Sequence, residues 1–230
     1  MRKKAVCIIS GGMDSITAAA MIKKEGYDIY ALTFDYGINP GKRELECAKK
    51  LSEWLGVKSF KIIKLDFFKN FGGSALLQKN IFLTPKNNDL EYVPFRNTVF
   101  LSIATAWAES INADIIVIGS HANDIFCPDN TLEYLEAFQK VINFGTKKKN
   151  IKVRAPLREK KLGKVDVVKI GMKLQVPFEN TWACFNRNDI ACGECNNCIN
   201  RYLAFKKAGY SDPLKYKKIP KIDINKDVMV

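Results

Sequence analysis

Residues 5–21 read AVCIISGGMDSITAAAM, an apolar run that breaks at Ser10-Gly11-Gly12 and resumes after Asp14-Ser15 as an alanine-rich helical pattern. A strand over Lys4 to Ile9 and a helix over Ser15 to Lys24 put the glycine pair at the carboxyl end of one and the amino end of the other. Glycine lets the backbone approach a ligand closely, and a helix start offers unpaired N–H groups and a positive dipole end. The Ser10 and Ser15 hydroxyls add donors, so the stretch suits a phosphate group. It is neither the dinucleotide fingerprint nor the Walker loop, because a third glycine and a Gly-Lys-Ser/Thr step are both missing. Asp14 reads either as a carboxylate for a metal or as a helix-start acid favoured by the dipole.

Working outward, apolar runs of strand length alternate with helical periodicity. The strands are Lys4 to Ile9, Ile29 to Phe34, Phe60 to Leu65, Ile115 to Gly119 and Ile151 to Ala155. The helices are Ser15 to Lys24, Arg43 to Leu55, Asn97 to Ser110, Leu132 to Phe144 and Val165 to Leu174, with a last one over Asn200 to Ala208. Such alternation predicts an α/β fold, a doubly wound, mostly parallel five-stranded sheet with helices on both faces. Ligands in such sheets sit beyond the carboxyl ends of the strands, where residues 10–15 fall. Residues 67–94, with Gly72-Gly73, Thr84-Pro85 and Asn87-Asn88, have the composition of a lid or connection. After Pro177 a cysteine-rich segment begins, so the expected organisation is a nucleotide-binding unit at 1–176 and a small metal-binding segment at 177–230.

With 230 residues and 47% hydrophobic content the chain can bury a core of its own. Its longest apolar stretches, such as Ile115 to Ile118, are too short to span a bilayer, and its start lacks the pattern of a signal peptide, so a cytoplasmic location is expected. The net charge of +13 is spread over scattered lysines, with runs at Lys147-Lys148-Lys149 and Lys160-Lys161 and a tail from Lys215. That charge permits nucleic acid or a polyanionic small molecule and requires neither. Four of the seven cysteines, Cys184, Cys192, Cys195 and Cys198, form a C-x7-C-x2-C-x2-C spacing. Four thiolates so placed close a tetrahedral zinc site, and they also suit an iron–sulfur cluster. Cys7 and Cys47 fall on apolar faces and read as small core residues.

Three further blocks lie near the carboxyl edge. In LTFDYG, Leu32 to Gly37, Phe34 and Tyr36 either flank a base or belong to the core, and Asp35 offers an acceptor. In VPFRNTVFLSIA, Val93 to Ala104, Arg96 and Asn97 either face anionic oxygens or serve as a solvated side chain and a helix cap. The single histidine, His121 in IGSHANDIFCPDN, reads as a hydrogen-bonded loop residue or as a general base.

In order along the chain, SGGMDS, LTFDYG, VPFRN with FLSIA, Pro128-Asp129, Ala155 to Leu157, VPFENTWAC, the four spaced cysteines and AFKKAGYSDP resemble the 7-cyano-7-deazaguanine synthase family of the ATP pyrophosphatase superfamily. The resemblance implies an adenine nucleotide alpha hydrolase-like (HUP) fold and a carbon–nitrogen ligase. That enzyme uses two ATP and ammonia to turn 7-carboxy-7-deazaguanine into its nitrile, a precursor of queuosine and archaeosine. It implies ATP contacts from Ile9, Ser10, Gly11, Gly12, Met13, Asp14, Ser15, Thr33, Phe34 and Gly119, with Ser10, Asp14, Ser15 and Arg96 acting in the reaction. Tyr36, Arg96, Asn97, His121, Asp124 and Asp129 would bind the acid, Mg2+ would accompany ATP, one Zn2+ would be held by the four cysteines, and the chain would form a homodimer.

The likeness frays at particular residues. DYG is followed by Ile38, where the family carries a polar side chain, His121 stands at a usual asparagine, and Asn130-Thr131 replace Cys-Arg. Arg96, Arg154, Arg158 and Arg187 are the candidates for the missing guanidinium. Other readings therefore stay open: the same activated acid joined to a protein amine, a tRNA-thiolating relative, or a basic zinc module that binds RNA.

Overall fold

The computed structural model describes residues 2–78, 80–124 and 126–222. Five parallel strands, β1 (Lys4–Ile8), β2 (Asp28–Asp35), β3 (Ser59–Lys64), β4 (Ile115–Val117) and β5 (Lys152–Arg154), pair in the order β3-β2-β1-β4-β5. Central β1 is registered on both sides, Cys7 opposite Ala31 of β2 and Val117 of β4. Buried on both faces, it is a continuous apolar run rather than an alternating one.

Helices α1 (Met13–Lys24) and α2 (Gly41–Leu55) follow β1 and β2; a one-turn α3 (Phe68–Phe71) and α4 (Arg96–Ser110) follow β3. Then come α5 (Leu132–Gly145) after β4, and a short α6 (Pro156–Glu159) and α7 (Lys164–Lys173) after β5. Chain progression reverses at β1, so right-handed crossovers place α1 and α2 on one face of the sheet and α4 and α5 on the other. Helix α7 packs against α1. Among the described residues no helix is long and apolar enough to cross a membrane.

Element limits differ from the sequence reading where backbone geometry intervenes. Helix α1 begins two residues early because Gly12 is already its extended N-cap. Strand β4 stops at Val117, although Ile118 N–H still donates to the Arg154 carbonyl before the chain turns away. Residues 67–94 hold α3 and two 3-10 turns, at Ala75–Leu77 and Pro85–Glu91.

The segment after residue 177 continues the same core, through Phe178, Trp182 and Phe205, and its helix α8 (Asn196–Ala208) packs on α7. Arg201 of α8 is fully buried and donates to both carboxylate oxygens of Asp212, to Thr181 Oγ1 and to the Phe178 carbonyl. Removing one partner of such a pair strands a buried charge. Residues 223–230 of the expected metal-binding segment, and Met1, lie outside the described residues.

Two glycines set the geometry on which the crevice depends. Gly11 adopts φ +87, and a Cβ there would lie 2.4 Å from the Glu44 carbonyl oxygen of α2. A Cβ on Gly119, just beyond β4, would lie 2.4 Å from Ser15 Cα and 2.6 Å from Ser15 N. The first turn of α1 therefore rests directly on the backbone leaving β4. Gly119→Ala is expected to cost about 1–3 kcal/mol through overpacking. A thermal melt should record this as a Tm lowered by about 2–4 °C per kcal/mol; an unchanged Tm contradicts the contact.

Candidate active site

Where the connections leaving β1 and β4 diverge, a crevice opens beyond the strand ends. It holds a cavity of about 600 Å³. Its walls are the end of β1 and start of α1, the end of β2, the 3-10 turn before α4, the start of α4 and the loop after β4. Lys164, Trp182 and the first turns of α8 complete it.

Residues 10–15 fold back on themselves through short bonds. The Ser15 hydroxyl accepts from Ser10 N–H at 3.1 Å, lies 3.1 Å from the Ser10 hydroxyl and donates to the Gly12 carbonyl at 3.1 Å. Trp182 N–H donates to the Gly11 carbonyl at 2.9 Å, and Thr33 Oγ1 donates to the Ile9 carbonyl at 2.7 Å. Helix α1 has no side-chain N-cap, so its first turn presents backbone donors and the positive dipole end at the cavity.

Asp14 is paired through Oδ2 with Lys164 Nζ. Burial pushes its carboxyl up, but Lys164 and His121 outweigh that and hold it below the ordinary value. His121 is lowered by burial, against the upward pull of Asp14 and Asp124. Arg96 lies over the Tyr36 ring, 5.6 Å from its centroid, and donates to the Tyr36 hydroxyl at 3.1 Å. Glu44, opposed by Arg96, and Glu91 are both pushed up to about 7 by burial.

Buried polar atoms are nearly always hydrogen-bonded in folded proteins, so exceptions point to something that binds them. Among the described residues eight buried side-chain N or O atoms have no partner, and five belong to cavity residues: Asp14 Oδ1, Glu91 Oε1, Arg96 Nε, His121 Nδ1 and Asn200 Oδ1.

Of the residues expected to bind ATP, Ile9, Ser10, Gly12, Met13, Asp14, Ser15, Thr33, Phe34 and Gly119 line the cavity. Gly11 does not; it shapes the turn against α2. Tyr36, Arg96, Asn97, His121 and Asp124 also line it. Asp129 does not, because its carboxylate accepts from Asn97 Nδ2 at 3.0 Å and from Thr98 N–H at 3.1 Å, capping α4 from outside the helix. Phe34 stacks on Phe100 with ring centroids 4.0 Å apart and also lines the cavity. Ile38 is buried in the core and does not line the cavity.

Lys164, Glu44, Glu91, Trp182 and Asn200 went unread in the sequence. Lys164 opens α7 and reaches Asp14 only because α7 packs on α1; sequence spacing carries no trace of that contact. Of the four candidate arginines, Arg187 pairs with Asp189 on the surface and Arg154 with Glu25 and Glu159. Arg96 stands in the cavity, and Arg158 is buried behind Asn130.

The four cysteines gather as their spacing predicts: Cys184, Cys192, Cys195 and Cys198 are buried, with sulfurs all within 4.8 Å of one another. Cys192 Sγ accepts from the N–H groups of Glu194 and Cys195, each at 3.3 Å, and Cys184 Sγ accepts from Cys192 N–H at 3.3 Å. Such donors stabilise thiolates, and the set can hold a metal ion. Cys7 and Cys47 are buried in the core.

The family model described as queuosine biosynthesis protein QueC matches residues 4–209. A 7-cyano-7-deazaguanine synthase of Campylobacter jejuni subsp. jejuni is 44% identical over 225 residues, covering 94% of this chain and 100% of the relative. One from Methanospirillum hungatei JF-1 is 42% identical over 221 residues, covering 93% and 100%. Among solved structures, a predicted subunit of tRNA methyltransferase from Methanocaldococcus jannaschii aligns with TM-score 0.51 at 18% identity, over 99% of this chain and 100% of that one, a likeness of fold.

Glu44 binds its proton more tightly folded than unfolded, so its contribution to stability falls as pH rises from 4.5 to about 7. Glu44→Gln removes that loss. The Tm of the variant relative to the parent should therefore be higher above that window than below it, read by thermal melts at both ends; an equal difference contradicts the buried, protonated carboxyl.

Proposed function

Because the chain belongs to the queuosine biosynthesis protein QueC family, we propose that it converts 7-carboxy-7-deazaguanine, with ammonia and two ATP, to 7-cyano-7-deazaguanine. The observation that carries this reading is the convergence of five unpartnered buried polar atoms on a crevice opened by an uncapped helix start. In the proposed sequence a carboxylate oxygen attacks the α-phosphorus and pyrophosphate leaves. Ammonia displaces AMP with loss of a proton to give the amide; its oxygen is adenylated in turn as one N–H proton is lost and pyrophosphate leaves, and loss of AMP and the second N–H proton leaves the nitrile.

Positioning and charge neutralisation do most of this work. The α1 dipole, the Ser10 and Ser15 hydroxyls and Lys164 receive the β- and γ-phosphates. Thr33 and Phe34 border the nucleoside, and Arg96, oriented by Tyr36, faces the reacting carboxylate and α-phosphate. Asp14 Oδ1, without a hydrogen-bond partner among the described residues, fits a Mg2+ ion, which would neutralise phosphate charge. At neutral pH ammonia enters mostly as ammonium and must lose a proton. Glu44 and Glu91, cavity carboxylates raised to about 7 by burial, would accept it.

For the cysteine set we favour one structural Zn2+. Thiolates about 2.3 Å from a tetrahedral ion lie about 3.8 Å apart, and Cys192 and Cys198 are 3.9 Å apart. A four-iron cluster needs its thiolates wider than the 4.8 Å limit seen here. The site is closed and contributes to folding rather than to chemistry.

Incubation with the acid, ATP and ammonium should release AMP and pyrophosphate. Ser10→Ala and Asp14→Ala should each lower that rate by at least about 100-fold, Ser10→Ala with Tm little changed and Asp14→Ala with a lowered Tm because Lys164 loses its partner. No AMP from the unsubstituted protein sinks the proposal, and AMP release indifferent to ammonium points to another amine. Cys195→Ser should lower both zinc content, by elemental analysis, and Tm; iron and acid-labile sulfide in the parent would contradict zinc.

A further inference from the structure

The loop after β4 supplies Ser120, His121, Asp124 and Asn130 to the cavity wall. A guanidinium is buried behind it: Arg158 of α6 is only 8% exposed. Its Nε donates to Ser120 Oγ at 2.8 Å, and its Nη2 donates to the Asp124 carbonyl at 2.6 Å and to Asn130 Oδ1 at 3.2 Å. Ser120 passes a bond on to the Asn130 carbonyl at 3.2 Å. The other end of the Asn130 amide, Nδ2, donates to Asp124 Oδ2 at 2.8 Å.

This network is directional. Arg158 has only donors, so the Asn130 amide must turn its oxygen to Arg158 and its NH2 to Asp124. The Asp124 backbone and carboxylate are thus held at two points from behind. An ionised carboxylate has about four acceptor positions, and Asn130 takes one. Asp124 also lies within electrostatic reach of Arg96 and His121, raising the proton affinity of each.

We propose that Arg158 is a positioning residue that, through Asn130, aims the Asp124 carboxylate at the guanine-like edge of the deazapurine acid, accepting from its ring N1–H and its exocyclic amino group. The inference rests on the functional reading above. That edge presents two parallel N–H donors, which a fixed carboxylate matches with two charge-assisted bonds. A carboxylate free to rotate discriminates poorly, so the buried guanidinium would supply selectivity without touching substrate.

The test compares 7-carboxy-7-deazaguanine with the same acid lacking the exocyclic amino group, as a ratio of kcat/KM read by AMP release. The unsubstituted protein should prefer the amino-bearing acid by at least about tenfold, since the analogue leaves one acceptor of the half-buried Asp124 unpaired. Arg158→Gln should reduce the ratio by about tenfold while KM for ATP stays within about twofold, the pattern of a lost substrate contact rather than general damage. Asp124→Asn should abolish the preference, and adding Arg158→Gln to it should change the ratio no further. Should Arg158→Gln fail to fold, Asn130→Ala interrupts the relay while leaving the Ser120 and Asp124 carbonyl contacts of Arg158, and should lower the ratio likewise. A ratio unchanged in the folded variants, even with slower turnover, overturns the inference alone. No AMP from the unsubstituted protein with either acid overturns the functional reading and this inference with it.

Discussion

The backbone contact between Gly119 and Ser15 is the constraint on which the site depends. Strand order β3-β2-β1-β4-β5 sends the connections from β1 and β4 to opposite faces of the sheet. A crevice necessarily opens there, and its depth is set by how closely the first turn of α1 approaches the end of β4. With no room for a Cβ at residue 119, that approach is backbone on backbone, and the N–H groups and hydroxyls of residues 10–15 become one wall of the cavity. Gly11, pressed on α2, and Trp182, bonded to the Gly11 carbonyl, hold the same turn from two further sides.

Charge inside the crevice is organised differently from charge on the surface. The protein carries +13, yet its cavity mixes Arg96 and Lys164 with Asp14, Glu44, Glu91 and Asp124. Each cation is held by a neighbour, Lys164 by Asp14 and Arg96 by Tyr36, so neither must be ordered anew when an anion enters. Burial raises Glu44 and Glu91 to about 7, so part of the carboxylate charge in the crevice is neutralised at neutral pH. The unpartnered atoms of Asp14, Glu91, Arg96, His121 and Asn200 are a local cost in the free protein that a polar ligand would offset.

Much of this was legible in the sequence, for physical reasons. The sheet could be read because a doubly covered parallel strand must be apolar throughout, as at Ala5 to Ile9. The four cysteines could be read because metal spacing is local, and residues 10–15 because a strand–glycine–helix junction is local too. Contacts made by tertiary packing left no such trace. Lys164 meets Asp14 across the α1–α7 interface, Asn200 reaches the cavity from α8, which packs on α7, and Trp182 is held there by its backbone bond to the Gly11 carbonyl. Asp129 lay in a matching motif, yet its carboxylate serves the start of α4, a role that motif position alone does not distinguish from binding. Ile38, at a position where the family carries a polar side chain, is a core residue. Arg158, one of four candidates for a missing guanidinium, is distinguished only by its burial behind Asn130.

If the crevice directs an acid's own oxygen onto the α-phosphorus of ATP, as we propose, isotope transfer reveals it most directly. With 7-carboxy-7-deazaguanine labelled with oxygen-18 in both carboxylate positions, mass spectrometry should find the label in AMP, one atom in each of the two AMP released per nitrile, and none in pyrophosphate. Label in pyrophosphate or orthophosphate, or AMP released without label, would contradict attack at the α-phosphorus and with it the reading of the site.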